Sequence, residues 1–219
     1  MSNHIWVYID QFKGKAVSSS WEALGMGRSL GNKMGSGVTA LILGNQIDHL
    51  ATEAFQYGAD EVLLADDPSL EDYRPEPYVA LLVNQASQAH PQVILFPTTS
   101  RGREMAGMSA VDVKTGVLVD VVDLQVTDGR LVAIRPVYAG KLLAKTICQS
   151  DPQIVTLRVR AFAKPTPDAS RSGTPIRIPI AMAGEAIPTR VVGYTQTEAG
   201  VSRSAAGGIV SGGRGVANN

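Results

Sequence analysis

Through the first half of the chain, short runs of wholly apolar residues alternate with longer stretches that are apolar on one side only. Ile5–Ile9, Val38–Leu43, Glu61–Ala65 and Val93–Phe96 read as strands. Their lack of polar alternation is that of strands covered on both faces. The stretches between them carry helical spacing. Trp21–Lys33 has apolar residues at 21, 24, 26 and 30, and Gly-rich sequence follows. Ile47–Tyr57 places Ile47, Leu50, Ala51, Ala54 and Phe55 on one side, with Gly58 as a C-cap. Pro77–Ala89, with a proline in its first turn, and Gly102–Val113 complete the set. Strands alternating with helices of this length imply right-handed βαβ crossovers and a parallel sheet.

Beyond Gly116 the periodicity changes. Val117–Val126, Leu131–Val137, Lys141–Cys148 and Ile154–Val159 read as successive strands, with Asp128-Gly129 as a hairpin turn and Asp151-Pro152 as another. This predicts an antiparallel addition or a sheet extension on the parallel core. From Ala163 to Gly208 prolines stand at 165, 167, 175, 179 and 188, and two strand-like pieces survive, Ile176–Ile180 and Arg190–Thr197. Such a segment wraps an edge or another chain. The fold class expected is α/β: a Rossmann-like parallel sheet flanked by helices over 1–115, an antiparallel β extension over 116–162, and a Pro-rich wrapping segment over 163–204.

Composition narrows the function. The chain has 219 residues, 44 % of them hydrophobic, enough for a core without staples. A single cysteine excludes a disulfide framework and a cysteine metal cage. No apolar run approaches the roughly 18 residues of a membrane span. The first residues lack a basic stretch followed by an apolar one, so a cytoplasmic protein is expected. Charge is zero overall but uneven. Residues 158–219 hold eight Lys/Arg against three Asp/Glu, a net +5, and the first 157 residues therefore carry −5. The basic residues form no run, which argues against a nucleic-acid surface. An acidic or phosphate-bearing partner near the C-terminal part is compatible with them.

Most candidate chemistry has a plain structural reading. Gly25-Met26-Gly27-Arg28-Ser29-Leu30-Gly31 approximates a dinucleotide fingerprint, but its last glycine comes one residue late and the run lies inside a helix, far from Ile9. Close packing through small residues explains it better. His4, His49 and His90 have no partner at helical spacing, so no metal site is expected. Cys148 lies in a strand-like run and reads as a buried small residue. Asp120 and Asp123 are three residues apart in a strand, on opposite faces, and cannot act as a catalytic pair. No catalytic residue is expected. Thr98-Thr99-Ser100-Arg101-Gly102-Arg103 follows a strand and opens a helix at the edge where parallel sheets bind ligands. It reads either as an anion cradle or as an N-cap with two solvated arginines. Ser211-Gly212-Gly213-Arg214-Gly215 follows the β-branched pair Ile209-Val210. Glycines there let backbone approach a flat ligand, and Arg214 supplies a cation at that point.

Four stretches, in order, resemble the α subunit of electron transfer flavoproteins. They are Pro97–Arg103 leading to Gly116–Val121, Arg135–Lys141, Thr156–Phe162, and Ile209–Val216. The segment Pro167–Gly173 is similar to the branch of that family linked to carnitine metabolism and nitrogen fixation. Where the family has a Pro-Arg pair in the helix after Arg103, this chain has Gly107-Met108. The resemblance implies an N-terminal α/β domain over 1–204, and in 205–219 the first strand and turn of an FAD-binding domain. It implies an electron carrier rather than an enzyme, with FAD held in the full-length heterodimer and AMP in the β-subunit partner. Electrons would come from flavin dehydrogenases such as acyl-CoA dehydrogenases, and pass to an electron transfer flavoprotein-quinone oxidoreductase or another acceptor. Of the family's FAD-contacting residues it carries over one, Arg214, beside the flavin ring. The alternative is a stand-alone nucleotide-binding α/β domain of the stress-protein or nucleotide-hydrolase type, binding ATP or AMP. Such domains have a late Gly-rich loop between a strand and a helix, and no helix is expected after Gly215.

Overall fold

The computed structural model describes residues 5–182, 184–195 and 208–216. In chain order the strands and helices are β1 Ile5–Ile9, β2 Gln11–Phe12, β3 Lys15–Ala16, α1 Ser18–Met34, β4 Val38–Gly44, α2 Asp48–Gln56, β5 Glu61–Asp66, α3 Pro75–Ala89 and β6 Val93–Pro97. They continue with α4 Ser100–Asp112, β7 Val117–Val121, β8 Asp123–Thr127, β9 Arg130–Val137, β10 Leu142–Ile147, β11 Gln153–Leu157 and β12 Ile176–Arg177. Seven strands form one sheet in the order β12-β5-β4-β1-β6-β11-β7, and every pairing in it is parallel. The Rossmann-like sheet flanked by helices is therefore as the hydrophobic pattern implies.

Alternation along each strand splits the core in two. Ile5, Val7 and Ile9 face one side with Trp21, Leu24 and Leu30 of α1 and Leu50 and Phe55 of α2. Trp6 and Tyr8 face the other, against Tyr78, Leu81 and Leu82 of α3 and Met105 and Ala106 of α4. The glycine run of α1 serves this packing. A Cβ on Gly27 would lie 2.8 Å from Cγ2 of Val7, so the helix backbone rests directly on the central strand. These glycines lie within the helix, not at a strand-to-helix turn, which is why they form no phosphate loop.

The structure corrects the reading after residue 116. The stretch 117–126 is two strands, not one. The chain leaves the large sheet at Val122, whose N–H donates to Ile134 O, and β8 joins β9 and β10 in a separate antiparallel sheet. The stretch 154–159 is no antiparallel strand. Gln153–Leu157 inserts between β6 and β7, parallel to both. Its five residues are all buried, the mark of a strand covered on both sides. The parallel sheet thus does not end at residue 115; three of its seven strands, β7, β11 and β12, come later.

The Pro-rich segment wraps this chain's own surface over 163–195. Pro165 packs where a Cβ of Gly25 would lie, 2.8 Å from its Cδ. Arg171 donates to Phe55 O at 3.0 Å, Ala59 O at 2.8 Å and Asp60 at 3.1 Å, satisfying carbonyls at the end of α2. Arg177 pairs with Asp48 at 2.7 Å, and the Thr189 hydroxyl donates to Glu76 at 2.7 Å. The strand expected over 176–180 shrinks to β12, two residues on the edge of β5, because Pro175 and Pro179 bracket it. Residues 190–195 form no strand, and 196–197 lie outside the described residues.

Arg171→Ala is expected to free the strap at its first anchor. Protease cleavage within 163–195 should rise several-fold. Global stability in urea should fall by only about 1–2 kcal/mol, because the guanidinium is partly solvated.

Candidate functional site

The chain winds from β1 outward through β4 to β5, then returns to place β6 on the other side of β1. Connections diverge there, and the crevice beyond the carboxyl ends of β1 and β6 is where doubly wound sheets bind ligands. Asp10, the residue after β1, is fully buried. Arg101, in the first turn of α4, places Nε 2.7 Å from its Oδ1. Asp10 Oδ2 and the nearby Thr98 Oγ1 are buried with no protein partner. Burial alone would lower the pKa of Arg101, but the Asp10 hydrogen bond and charge raise it. Thr99 caps α4, accepting from Gly102 N–H at 2.9 Å. A Cβ at Gly102 would fall 2.1 Å from Pro97 O, so this turn admits only glycine.

The capping half of the expectation for 98–103 holds, and the solvation half holds for Arg103 but not for Arg101. Arg103 is exposed, whereas Arg101 turns inward because Asp10 carries a charge that the sheet end cannot leave unpaired. Three tyrosines lie beneath the pair. The Tyr73 hydroxyl donates to Glu104 at 3.0 Å, Tyr78 to Leu70 O at 2.8 Å, and the Tyr8 ring lies 5.7 Å from Phe96. Burial pushes the pKa of all three up. Above the pair, Phe12 meets Tyr194 of the strap edge-on at 5.5 Å. Lys13 Nζ stands 5.5 and 5.2 Å from these two rings, and the Arg101 guanidinium 5.5 Å from Phe12. The Tyr194 hydroxyl donates to Asp72 at 2.7 Å. The ligand crevice of the fold is thus covered by the chain's own aromatic and cationic side chains. Beside it lies a cleft of about 780 Å³, where Lys13, Lys15 and His49 face Glu53, Glu71 and Asp72. Walls of both signs give it no single ligand charge to recognise.

A second polar cluster lies at the carboxyl ends of β7 and β11. Asp120 adopts φ +57° and sits where the register between the two strands shifts. Arg158 donates to its carboxylate from both Nε and Nη2, the former at 3.0 Å. This Arg158 hydrogen bond holds the Asp120 pKa below its usual range against partial burial, and the charges of Arg158, Arg103 and Arg135 add to it. Asp123 opens β8 and accepts from Gln125 at 3.3 Å. The two aspartates are separate structural residues, and the arginine partner of Asp120 was not legible from their spacing.

Elsewhere the sequence candidates are scattered. His49 Nε2 lies 2.7 Å from Gly14 O, His90 ends α3 at φ +49°, and His4 lies outside the described residues. Cys148 is 9 % exposed beside the Thr115 hydroxyl at 3.5 Å. Among the described residues no group of His, Cys, Asp and Glu is placed to hold a metal ion, and no helix is long and apolar enough to cross a membrane. Residues 208–213 form no strand, and Arg214–Val216 is a single 3-10 turn. The Arg214 side chain lies outside what is described. Gly213 and Gly215 have nothing within 4 Å of an added Cβ.

Residues 5–182 match the family model of the electron transfer flavoprotein domain. Protein FixB of Azorhizobium caulinodans is 35 % identical over 196 residues, covering 87 % of this chain and 53 % of that protein. Protein FixB of Azotobacter vinelandii is 34 % identical, covering 98 % and 62 %. Electron transfer flavoprotein subunit alpha of Megasphaera elsdenii is 33 % identical, covering 97 % and 64 %. The chain thus spans between about half and two thirds of the length of these relatives.

Arg101→Ala should strand the Asp10 carboxylate and cost about 3–5 kcal/mol in urea unfolding. Adding Asp10→Asn to Arg101→Leu should restore most of it, since the stranded charge is gone. The tyrosines set an alkaline limit. Their folded pKa values lie above the unfolded value, so the stability they confer is complete below about pH 10 and is lost as pH rises through the folded values. Tyrosinate absorbance from Tyr8, Tyr73 and Tyr78 should appear together with unfolding.

Proposed function

The chain belongs to the electron transfer flavoprotein domain family, and we propose that it is the scaffold and subunit-binding domain of an electron transfer flavoprotein α subunit. The observation that carries this reading is the family match over 5–182, with relatives named as α subunits or FixB aligned across almost all of the chain. The covered crevice supports it, since Tyr194 and Phe12 occupy the place where a stand-alone nucleotide binder would seat its ligand. In this reading the protein carries electrons and turns over no substrate of its own. It works as a heterodimer with a β subunit, which holds AMP. It takes electrons from flavin dehydrogenases of the acyl-CoA dehydrogenase type and gives them to a quinone oxidoreductase or another acceptor.

FAD would belong to the full-length heterodimer, not to these residues alone. The domain division follows: 1–204 as the α/β base, 205–219 as the opening of the flavin-binding part. Arg214 is then the one residue of this chain at the cofactor, placing a cation near the flavin ring. The strap over 163–195 is tied to this chain's own surface, and the antiparallel sheet offers a further surface for the partner.

Co-expression of the full-length α chain with its β subunit should give one 1:1 peak on size exclusion, with flavin absorbance. Purified alone, residues 1–219 should carry no flavin. Tight ATP binding by the isolated chain would instead support the nucleotide-binding alternative. In the full-length heterodimer, Arg214→Ala should lower the first flavin reduction potential. The loss of a hydrogen bond to a charged group, about 1–2 kcal/mol, corresponds to about 40–90 mV for one electron. Arg214→Lys should fall part-way. A redox titration within about 10 mV of wild type would limit Arg214 to shaping the turn.

A further inference from the structure

Three of the stretches that carry the family resemblance converge at the carboxyl ends of β7 and β11. Arg103 comes from the first turn of α4, Asp120 from β7, Arg135 from β9, and Arg158 from the residue after β11. One carboxylate serves three guanidinium groups whose charges all act on it. Arg158 alone is ion-paired to it. The side chains of Arg103 and Arg135 make no hydrogen bond or ion pair within the described residues, and Nε of Arg135 is buried without a partner. Arg103 is exposed and Arg135 half-buried, so both keep donors free for an acceptor from outside the fold. The α4 N-terminus adds its partial positive charge to the same place.

The surroundings of the cluster indicate what that acceptor belongs to. Arg135 pairs with Ala144 across the hairpin, and Val137 with Leu142, so Arg135, Val137 and Leu142 share one face of the antiparallel sheet. Beyond them the β9–β10 turn exposes Tyr138 at 76 % and Leu142 at 57 %, around a shallow depression also lined by Lys141. On the opposite face Leu143 and Ile147 are exposed as well. A small anion would have no use for this apolar fringe. Cations ringed by exposed apolar side chains suit a protein surface. The quantity of exposed apolar side chain suits a permanent subunit better than a transient donor, because obligate interfaces are the more hydrophobic.

We propose that Arg103 and Arg135 receive carboxylates of the β subunit, while an apolar side chain beside those carboxylates packs on Tyr138 and Leu142. This deepens the heterodimer reading and rests on it. Asp120 and Arg158 hold each other in place at the centre, and the two unpaired arginines do the recognising.

The test uses the full-length α chain and its β subunit, with heterodimer Kd measured by calorimetry at low and high salt. The pair Arg103→Ala and Arg135→Ala should weaken association by about tenfold at low salt and flatten the salt dependence. Arg103→Lys with Arg135→Lys should recover part of the affinity and all of the salt dependence. Lys33→Ala, an exposed charge on α1, should change neither. Thermal midpoints should stay near wild type, since neither guanidinium group is hydrogen-bonded within the fold. Should the double variant misfold, each single alanine variant is expected to weaken Kd by about threefold. A wild-type heterodimer that binds the alanine variants with unchanged Kd and salt slope overturns the proposal and leaves the heterodimer reading standing. Variants that keep the heterodimer but lose binding of an added dehydrogenase or of inorganic phosphate also overturn it, by giving the surface another occupant. Failure of the wild-type chains to associate at all overturns both.

Discussion

A fully buried carboxylate at the end of the central strand is the constraint around which this structure is arranged. Asp10 is shut off from bulk solvent, so a cation has to reach it, and the one that does comes from 91 residues away. Arg101 can do so only because α4 starts immediately after β6, next to β1, and because Gly102 lets the turn close against Pro97. The pair thereby fixes the position of the first turn of α4 relative to the sheet end. The aromatic layer follows from it: Phe12 covers the Arg101 guanidinium, and Tyr194 covers Phe12. The crevice where the topology favours a ligand becomes a joint between two parts of the same chain.

Much of the parallel half was legible because its strands are short, wholly apolar and separated by helices with clear periodicity. β1, β4, β5 and β6 sit within a residue of where the hydrophobic runs place them. Legibility failed where position in the sheet departs from order in the chain. Gln153–Leu157 follows a hairpin and reads as its continuation, yet its burial on both faces is that of an interior strand. The run 117–126 holds two strands because Asp120 and Val122 carry the chain from one sheet to the other, and neither is a glycine or proline that would mark a break. The Pro-rich segment was readable as a wrapping element. Its support was not, because Arg171 binds main-chain carbonyls, which no side-chain pattern advertises.

The candidate sites divide in the same way. Thr99 as a cap and the glycines of α1 as packing residues follow from local rules of helix chemistry. The partners of Asp10 and Asp120 do not, since both are arginines brought in by the fold over long separations. The resemblance to the α-subunit family picked out Arg103, Arg135 and Arg158 as members of separate motifs, and only the structure places them around one carboxylate.

The insertion of β11 between β6 and β7 also governs how the chain can be assembled. When residues up to 121 have been synthesised, β7 has no strand of the sheet to pair with, because its neighbour β11 is not yet present. The neighbour arrives only after the antiparallel hairpin has been made, so the edge of β6 stays open until residue 157 emerges. An exposed parallel edge is a template for wrong pairing. A nascent chain halted anywhere in that interval would be the species most in need of chaperone protection, and gene fragments ending there are poor choices for expression.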